Sequence, residues 1–427
     1  MRTLPLLVVL ASLAGAPAAH AAGWSHPQGY DAGTRVFDEP VPRVAVADDG
    51  TSIATFADGP NIYAVTGDAR GRFGTPRRLG PWAAITSVVA AGRGGAALAA
   101  WEESDGIHVA VRTRAGRPLR TRFLTSSTGE AINDLAVVAD PRGGWFLLES
   151  VWTQKSRANR VRAFTLRADG TLALTSQDLG EGTFGADARP IRALAVGARG
   201  AATAIFSTKN GPMTSQGVHQ GHFGPVHPFG DSSIENLWIS AGRATEAPLV
   251  AATKAVNCGD VGCFGAPLAA RVTPQGDTLP FRVPALERPN RAFGPSIAPL
   301  GAGAAALVFS LKDKPSPFSK LAPIKAVALR DGAAPGRIQT LTTKEASEPV
   351  AVALSAGRVL ALWSGTRGWG AALAGPDGTF RASAEPPGPP PEPFHTNPTN
   401  RSISTAGSYA LVGWSREGRV RLSLRRF

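Results

Sequence analysis

Four acidic side chains stand where a carboxylate could do acid–base chemistry. Glu102, Glu103 and Asp105 follow Trp101 at the end of an apolar run, and Glu149 lies inside the run Phe146-Leu-Leu-Glu-Ser-Val151. Burial disfavours the ionised form of a carboxylate, so Glu149 is expected to have the raised pKa that a general acid needs. Cleaving a glycosidic bond takes two such groups at a set separation, which spacing along a chain does not give. No catalytic residue is therefore assigned, and Glu149, Glu102, Glu103 and Asp105 stand as candidates. The competing expectation is a surface cluster for the first three and a paired or channel-facing group for Glu149.

Other chemistry-bearing residues have plainer readings. His219, His222 and His227 are spaced like zinc ligands, but two of them flank a glycine turn, and His222 falls where Arg72 falls in an earlier copy of the same phrase. They are read as turn-flanking polar residues and His108 as structural, so no metal and no cofactor is expected. The chain contains no G-x-S-x-G elbow, phosphate loop or HExxH, so the usual nucleophile and metalloprotease chemistries lack a starting point. Cys258 and Cys263, in Asn257-Cys-Gly-Asp-Val-Gly-Cys263, are expected to close a small disulfide loop worth about 2 kcal/mol.

The elements that must position these groups are strands. An alternating apolar run, a tight glycine turn, a second run ending in Phe or Trp, a loop and another glycine turn recur about eight times. Six residues join Gly50 to Phe56, Gly95 to Trp101, Gly200 to Phe206, Gly303 to Phe309 and Gly357 to Trp363. A second series, Gly71, Gly116, Gly170, Gly221, Gly276, Gly332 and Gly378, recurs every 45 to 56 residues. Glycine suits both series because hairpin turns often require a positive φ. Four short strands per 40–50 residues, with no helical periodicity between them, predict an all-β fold: an eight-bladed β-propeller, with seven blades as the alternative.

The last unit ends after three strands and leaves an edge. The segment Gly33–Pro40 is expected to complete it, with Asp38 and Glu39 facing Arg419, Arg421 and Arg425. Residues 1–23 read as an export signal, with Arg2, an apolar run from Leu4 to Ala14, and Ala19-His-Ala21 as a cleavage site that puts the mature start near Ala22. Residues 24–427 are then one domain of an exported bacterial protein, secreted or associated with the cell envelope, with no transmembrane segment, and the Pro-rich stretch at 385–398 is a stiff connector.

The formal net charge is +13 at pH 7, of which the leader holds only Arg2. Loops between second and third strands are long at Trp152 to Arg160, Lys254 to Phe264 and Lys312 to Lys325, and they and their counterparts carry Lys155, Arg157, Lys312, Lys314, Lys320 and Arg367, the candidate ligand-binding set. The basic residues lack the interleaved aromatics of a single-strand nucleic-acid platform, so no specific nucleic acid is expected. A protein or an anionic polymer of the cell envelope is the expected partner.

The repeat resembles the β-propeller superfamily over about residues 33 to 427. The turns Ala168-Asp-Gly-Thr-Leu172 and Pro376-Asp-Gly-Thr-Phe380 look like degenerate Asp-boxes of sialidase-like propellers. That family implies an arginine triad, a tyrosine paired with a glutamate, and an aspartate acid/base. Tyr30, Tyr63 and Tyr409 are the only tyrosines, and the resemblance is carried over to the scaffold alone. The expectation is a noncatalytic binding or scaffold protein; the alternative is a glycan-acting hydrolase or lyase, marked by two carboxylates and several arginines converging in one pocket.

Overall fold

The structure is a computed structural model. It describes residues 23–427 except 32–41, 82–86, 127–129, 154–156, 185–190, 198–199, 230–233, 241–246, 260–261, 274, 276, 287–291, 313–321, 366–367, 383–400 and 417. The leader up to residue 22, the segment 33–40 and the Pro-rich stretch lie outside the described residues. No helix among those described is long and apolar enough to cross a membrane.

The fold is an all-β propeller. Antiparallel sheets of four strands form where the repeat places them, the first from Arg43–Val46, Ser52–Asp58, Asn61–Gly67 and Arg77–Pro81. The second comprises Ser87–Ala91, Ala97–Glu103, Gly106–Arg112 and Arg120–Ser126, and the third Ala131–Ala139, Trp145–Thr153, Ala158–Leu166 and Gln177–Phe184. Both glycine series sit in the turns between these strands. Gly170 has φ +82°, and a Cβ there would lie 2.4 Å from Val111 Cγ2 on the neighbouring sheet. In the fourth sheet, Ile191–Val196, Ala202–Thr208, Gly211–Gly217 and His227–Pro228, the positive φ falls one residue earlier, on Gln220 with φ 48°.

Eight separate four-stranded sheets are not what the hydrogen bonding gives. The described residues form five four-stranded sheets and one of eleven strands, from Ile234–Ser240 to Phe380–Ala382. The units run together for two local reasons. Gly265 bridges to Ala292, and Gln339–Leu354 continues unbroken for 16 residues, pairing with Ala322–Arg330 at one end and Arg358–Gly365 at the other.

Strand alternation sends side chains to both faces of each sheet, so both are apolar and each packs on a neighbour. Ala97, Ala99 and Trp101 pack with Ile53 and Ile62 of the first sheet. Leu98 and Ala100, the alternate positions, pack with Trp145, Leu147 and Val151 of the third. Phe146 and Leu148 pack on Phe206 of the fourth. Val44, Phe56 and Val65 of the first sheet pack with Tyr409, Leu411 and Leu422 of the C-terminal one. The first strands of several sheets line a cavity of about 330 Å³, whose polar wall includes Arg43, Asp134 and Ser402.

The strand that pairs with the C-terminal Arg419–Arg426 is Gln28–Asp31, upstream of the expected Gly33–Pro40. Asp31 meets Arg419, with Oδ1 3.0 Å from Nε, while the expected partners Asp38 and Glu39 lie outside the described residues. Tyr30 stacks on Phe56 and its hydroxyl donates to the Gly74 carbonyl, which ties this strand to the first sheet as well.

Candidate functional site

The expected loop between Lys254 and Phe264 is instead a continuous hairpin, Leu249–Gly259 with Gly262–Val272. In it Cys258 and Cys263 are direct cross-strand partners. Lys155, Lys314, Lys320 and Arg367 lie outside the described residues, and Arg157 is exposed at a hairpin turn with φ 51°. Lys312 is buried, not presented to solvent, with Nζ 5.7 Å from the centre of the Phe293 ring.

The carboxylates behave differently. Along Ala97–Glu103 the alternation that turns Leu98 and Ala100 toward the third sheet also turns Glu102 that way. Its Oε1 accepts the Ile132 N–H at 3.3 Å, while Oε2 is buried without a hydrogen-bond partner. Burial raises the Glu102 pKa from 4.5 to about 7, against the lowering effect of the Ile132 bond. On the facing sheet Glu149 continues the Trp145–Leu147 face, so its carboxylate enters the same seam, with a side chain only 1% exposed.

Arg162 stands directly opposite Glu149 on the next strand. Its Nε is 2.8 Å from Glu149 Oε1, and its Nη2 donates to Glu130 Oε2. The Nε contact is an ion pair without hydrogen-bond alignment, since neither atom has a hydrogen-bond partner. Burial lifts the Glu149 pKa from 4.5 to about 7; Arg162 opposes the rise, and Glu130 and Glu102 add to it. The raised pKa expected from the apolar run is present, and so is a partner for the charge. Glu130 and Arg162 are the participants that sequence reasoning missed.

The neighbouring acids part company with Glu102. Glu103 alternates to the other face of its strand, where Oε1 accepts the Trp101 indole N–H at 2.8 Å. Asp105 Oδ1 lies 2.8 Å from His108 Nε2. The three histidines spaced like zinc ligands do not group: His219 Nδ1 meets the buried Asp140 at 2.5 Å, while His222 and His227 are exposed. Among the described residues no arginine triad with a tyrosine–glutamate pair gathers; Tyr30 and Tyr63 stack on either side of Phe56.

No family model matches the sequence, and a search of curated proteins gives no match. Solved structures do match. A puromycin hydrolase variant complexed with PGG has a TM-score of 0.50 at 14% identity over 89% of this chain, which spans 59% of that protein's length. An ulvan lyase described as a new family of polysaccharide lyase gives 0.49 at 11% identity, covering 95% of this chain and 96% of that one. The α-L-arabinofuranosidase of Fusarium graminearum with arabinobiose gives 0.45 at 12%, covering 94% and 98%. At 14% identity the first of these likenesses shows the fold alone.

The expectation of a noncatalytic binding or scaffold protein is corrected by the site that the described residues form. Two buried carboxylates converge in one seam, the mark of the alternative, although they meet one arginine, not several.

Proposed function

We propose that this chain is a glycan-acting hydrolase or lyase whose site lies where the second and third sheets meet. The observation that carries the proposal is geometric: Glu102 and Glu149, from facing strands of two sheets, enter one seam beside Arg162, which also holds Glu130. A hydrolase needs a carboxyl group that still carries its proton near neutral pH and a second carboxylate to act as base or nucleophile. Glu149, at about 7, has the first property. A lyase needs a base and a cation that neutralises the uronate carboxylate, a role suited to the partly exposed Arg162.

The test is cleavage of purified polysaccharides, neutral arabinans and uronate polymers, followed by new reducing ends and by the ultraviolet absorbance of unsaturated uronyl products. Glu102→Gln and Glu149→Gln are expected to lower kcat about a hundredfold or more on whichever polymer is cleaved, with unchanged circular dichroism. Absence of cleavage across the panel, or full activity in both variants, overturns the proposal.

The rest of the architecture is proposed on the same footing. Gln339–Leu354 is read as shared by two units, so that the eleven-stranded sheet counts as three and the propeller has eight blades, closed by Gln28–Asp31. The chain is exported, with residues 1–23 as its signal. Cys258 and Cys263 then form a disulfide across the hairpin, because register partners bring their Cα atoms within bridging range. The exported protein is expected to take up no alkylating reagent until reduced, and then two equivalents by mass; two free thiols in the unreduced protein contradict the bond.

A further inference from the structure

Glu103, Asp105 and His108 form a second cluster, on the opposite face of the strand from Glu102. Each presents one donor atom, and the three lie within 4.8 Å of one another. We infer that they are a binding site for a divalent transition-metal ion of the zinc type. The inference is independent of the glycan reading, since a different seam and different side chains carry it.

The donor set and its spacing suit such an ion. Imidazole nitrogen with carboxylate oxygens is a common zinc ligand set, with ligand bonds of about 2.0–2.2 Å. Donors on a tetrahedron of that size stand about 3.4 Å apart. His108 Nε2 is 2.8 Å from Asp105 Oδ1 and 3.9 Å from Glu103 Oε2, separations that bracket this value. Three protein donors leave a fourth position for water.

The ligands are held from outside the cluster, as metal ligands usually are. The Trp101 indole N–H engages Glu103 Oε1 and so leaves Oε2 toward the histidine. The imidazole is stacked on Trp101, with centroids 5.9 Å apart, and Phe123 meets its other side edge-on at 5.4 Å. Gly80, on the outer strand of the first sheet, makes room: a Cβ there would lie 2.1 Å from Glu103 Oε1. Asp105 is largely exposed and gives the ion its route in from solvent. Without a metal the same atoms pair directly, His108 Nε2 with Asp105 Oδ1, so the experiment must separate the two.

Chelator-treated, full-length protein is titrated calorimetrically with zinc chloride at neutral pH. One ion per chain is expected, with binding at least tenfold weaker in His108→Gln and in Asp105→Asn, the latter an exposed change that leaves folding intact. Gly80→Ala, which displaces Glu103 without removing a ligand, is expected to weaken binding as well. No stoichiometric uptake, or uptake unchanged in His108→Gln and Asp105→Asn, overturns the inference.

Discussion

Arg162→Met is expected to lower stability by about 3–5 kcal/mol at pH 8, as removal of one partner from a buried ion pair does, and by much less at pH 5. The guanidinium is the cation that faces Glu149 and Glu130 in the seam. Deleting it leaves Glu149, whose side chain is 1% exposed, as an uncompensated buried carboxylate unless a proton neutralises it. Glu149 takes up that proton readily. Burial has already moved its pKa from 4.5 to about 7, with Glu130 and Glu102 reinforcing the shift, and removal of Arg162 takes away the one opposing influence.

The pH dependence of the wild type follows from the same group. Between pH 4.5 and 7 the folded chain keeps a proton that the unfolded chain has released, so stability falls as pH rises through that window and does not recover above it. At about 1.4 kcal/mol per pH unit, Glu149 accounts for a loss of about 3 kcal/mol. Glu149→Gln, neutral throughout, is expected to remove that part of the fall and to be the more stable protein at pH 8. Urea unfolding at pH 5, 6, 7 and 8 measures both effects. An equal loss for Arg162→Met at pH 5 and pH 8 would sink this account.

A chain that begins at residue 32 is expected to lose about 3–5 kcal/mol and to self-associate. The missing segment contributes one strand and two aromatic anchors. Gln28–Asp31 covers the edge of Arg419–Arg426, and Ser25 exchanges three hydrogen bonds with Ser423 and Leu424. Trp24 packs edge-on against Phe427, and Tyr30 stacks on Phe56. Truncating a buried aromatic costs about 3–5 kcal/mol, and these two are partly exposed, so about 1.5–2.5 kcal/mol is expected of each. The uncovered strand then offers a row of free backbone donors and acceptors to another copy. Thermal unfolding and light scattering of the shortened chain give the answer; an unchanged midpoint with a monodisperse monomer shows that the strand is dispensable.

Much of the scaffold was legible before any coordinates. The glycine intervals located the turns, and those at Gly50, Gly95, Gly170, Gly303 and Gly378 do adopt positive φ. The alternation of Leu98 and Ala100 with Ala99 and Trp101 foretold a strand with two apolar faces. Where the reading slipped, local pattern had no say. Gly33–Pro40 and Gln28–Asp31 are both short and polar, and the choice between them was made by Tyr30 finding Phe56 and by Ser25 finding Leu424, contacts spanning 26 residues in one case and 399 in the other. The loop expected between Lys254 and Phe264 is strand because Asn257 pairs with Phe264 and Cys258 with Cys263, and pairing of that kind depends on register.

The candidate site divides along the same line. Its titrating glutamate was visible from the sequence alone, since a lone carboxylate in an apolar run has few ways to avoid burial. Arg162 was not, although the hairpin that contains both residues makes them partners once its turn is placed. Glu130 and Glu102 reach the seam from elements outside that hairpin, Glu102 from another sheet altogether. Composition and period therefore determined the strands, the turns and which faces are apolar, because those depend on steric preferences and burial acting over a few residues. Which charges meet was decided by the packing of sheet on sheet, because electrostatic partners are chosen by distance in space, and distance in space between separate sheets is a property of the assembled fold.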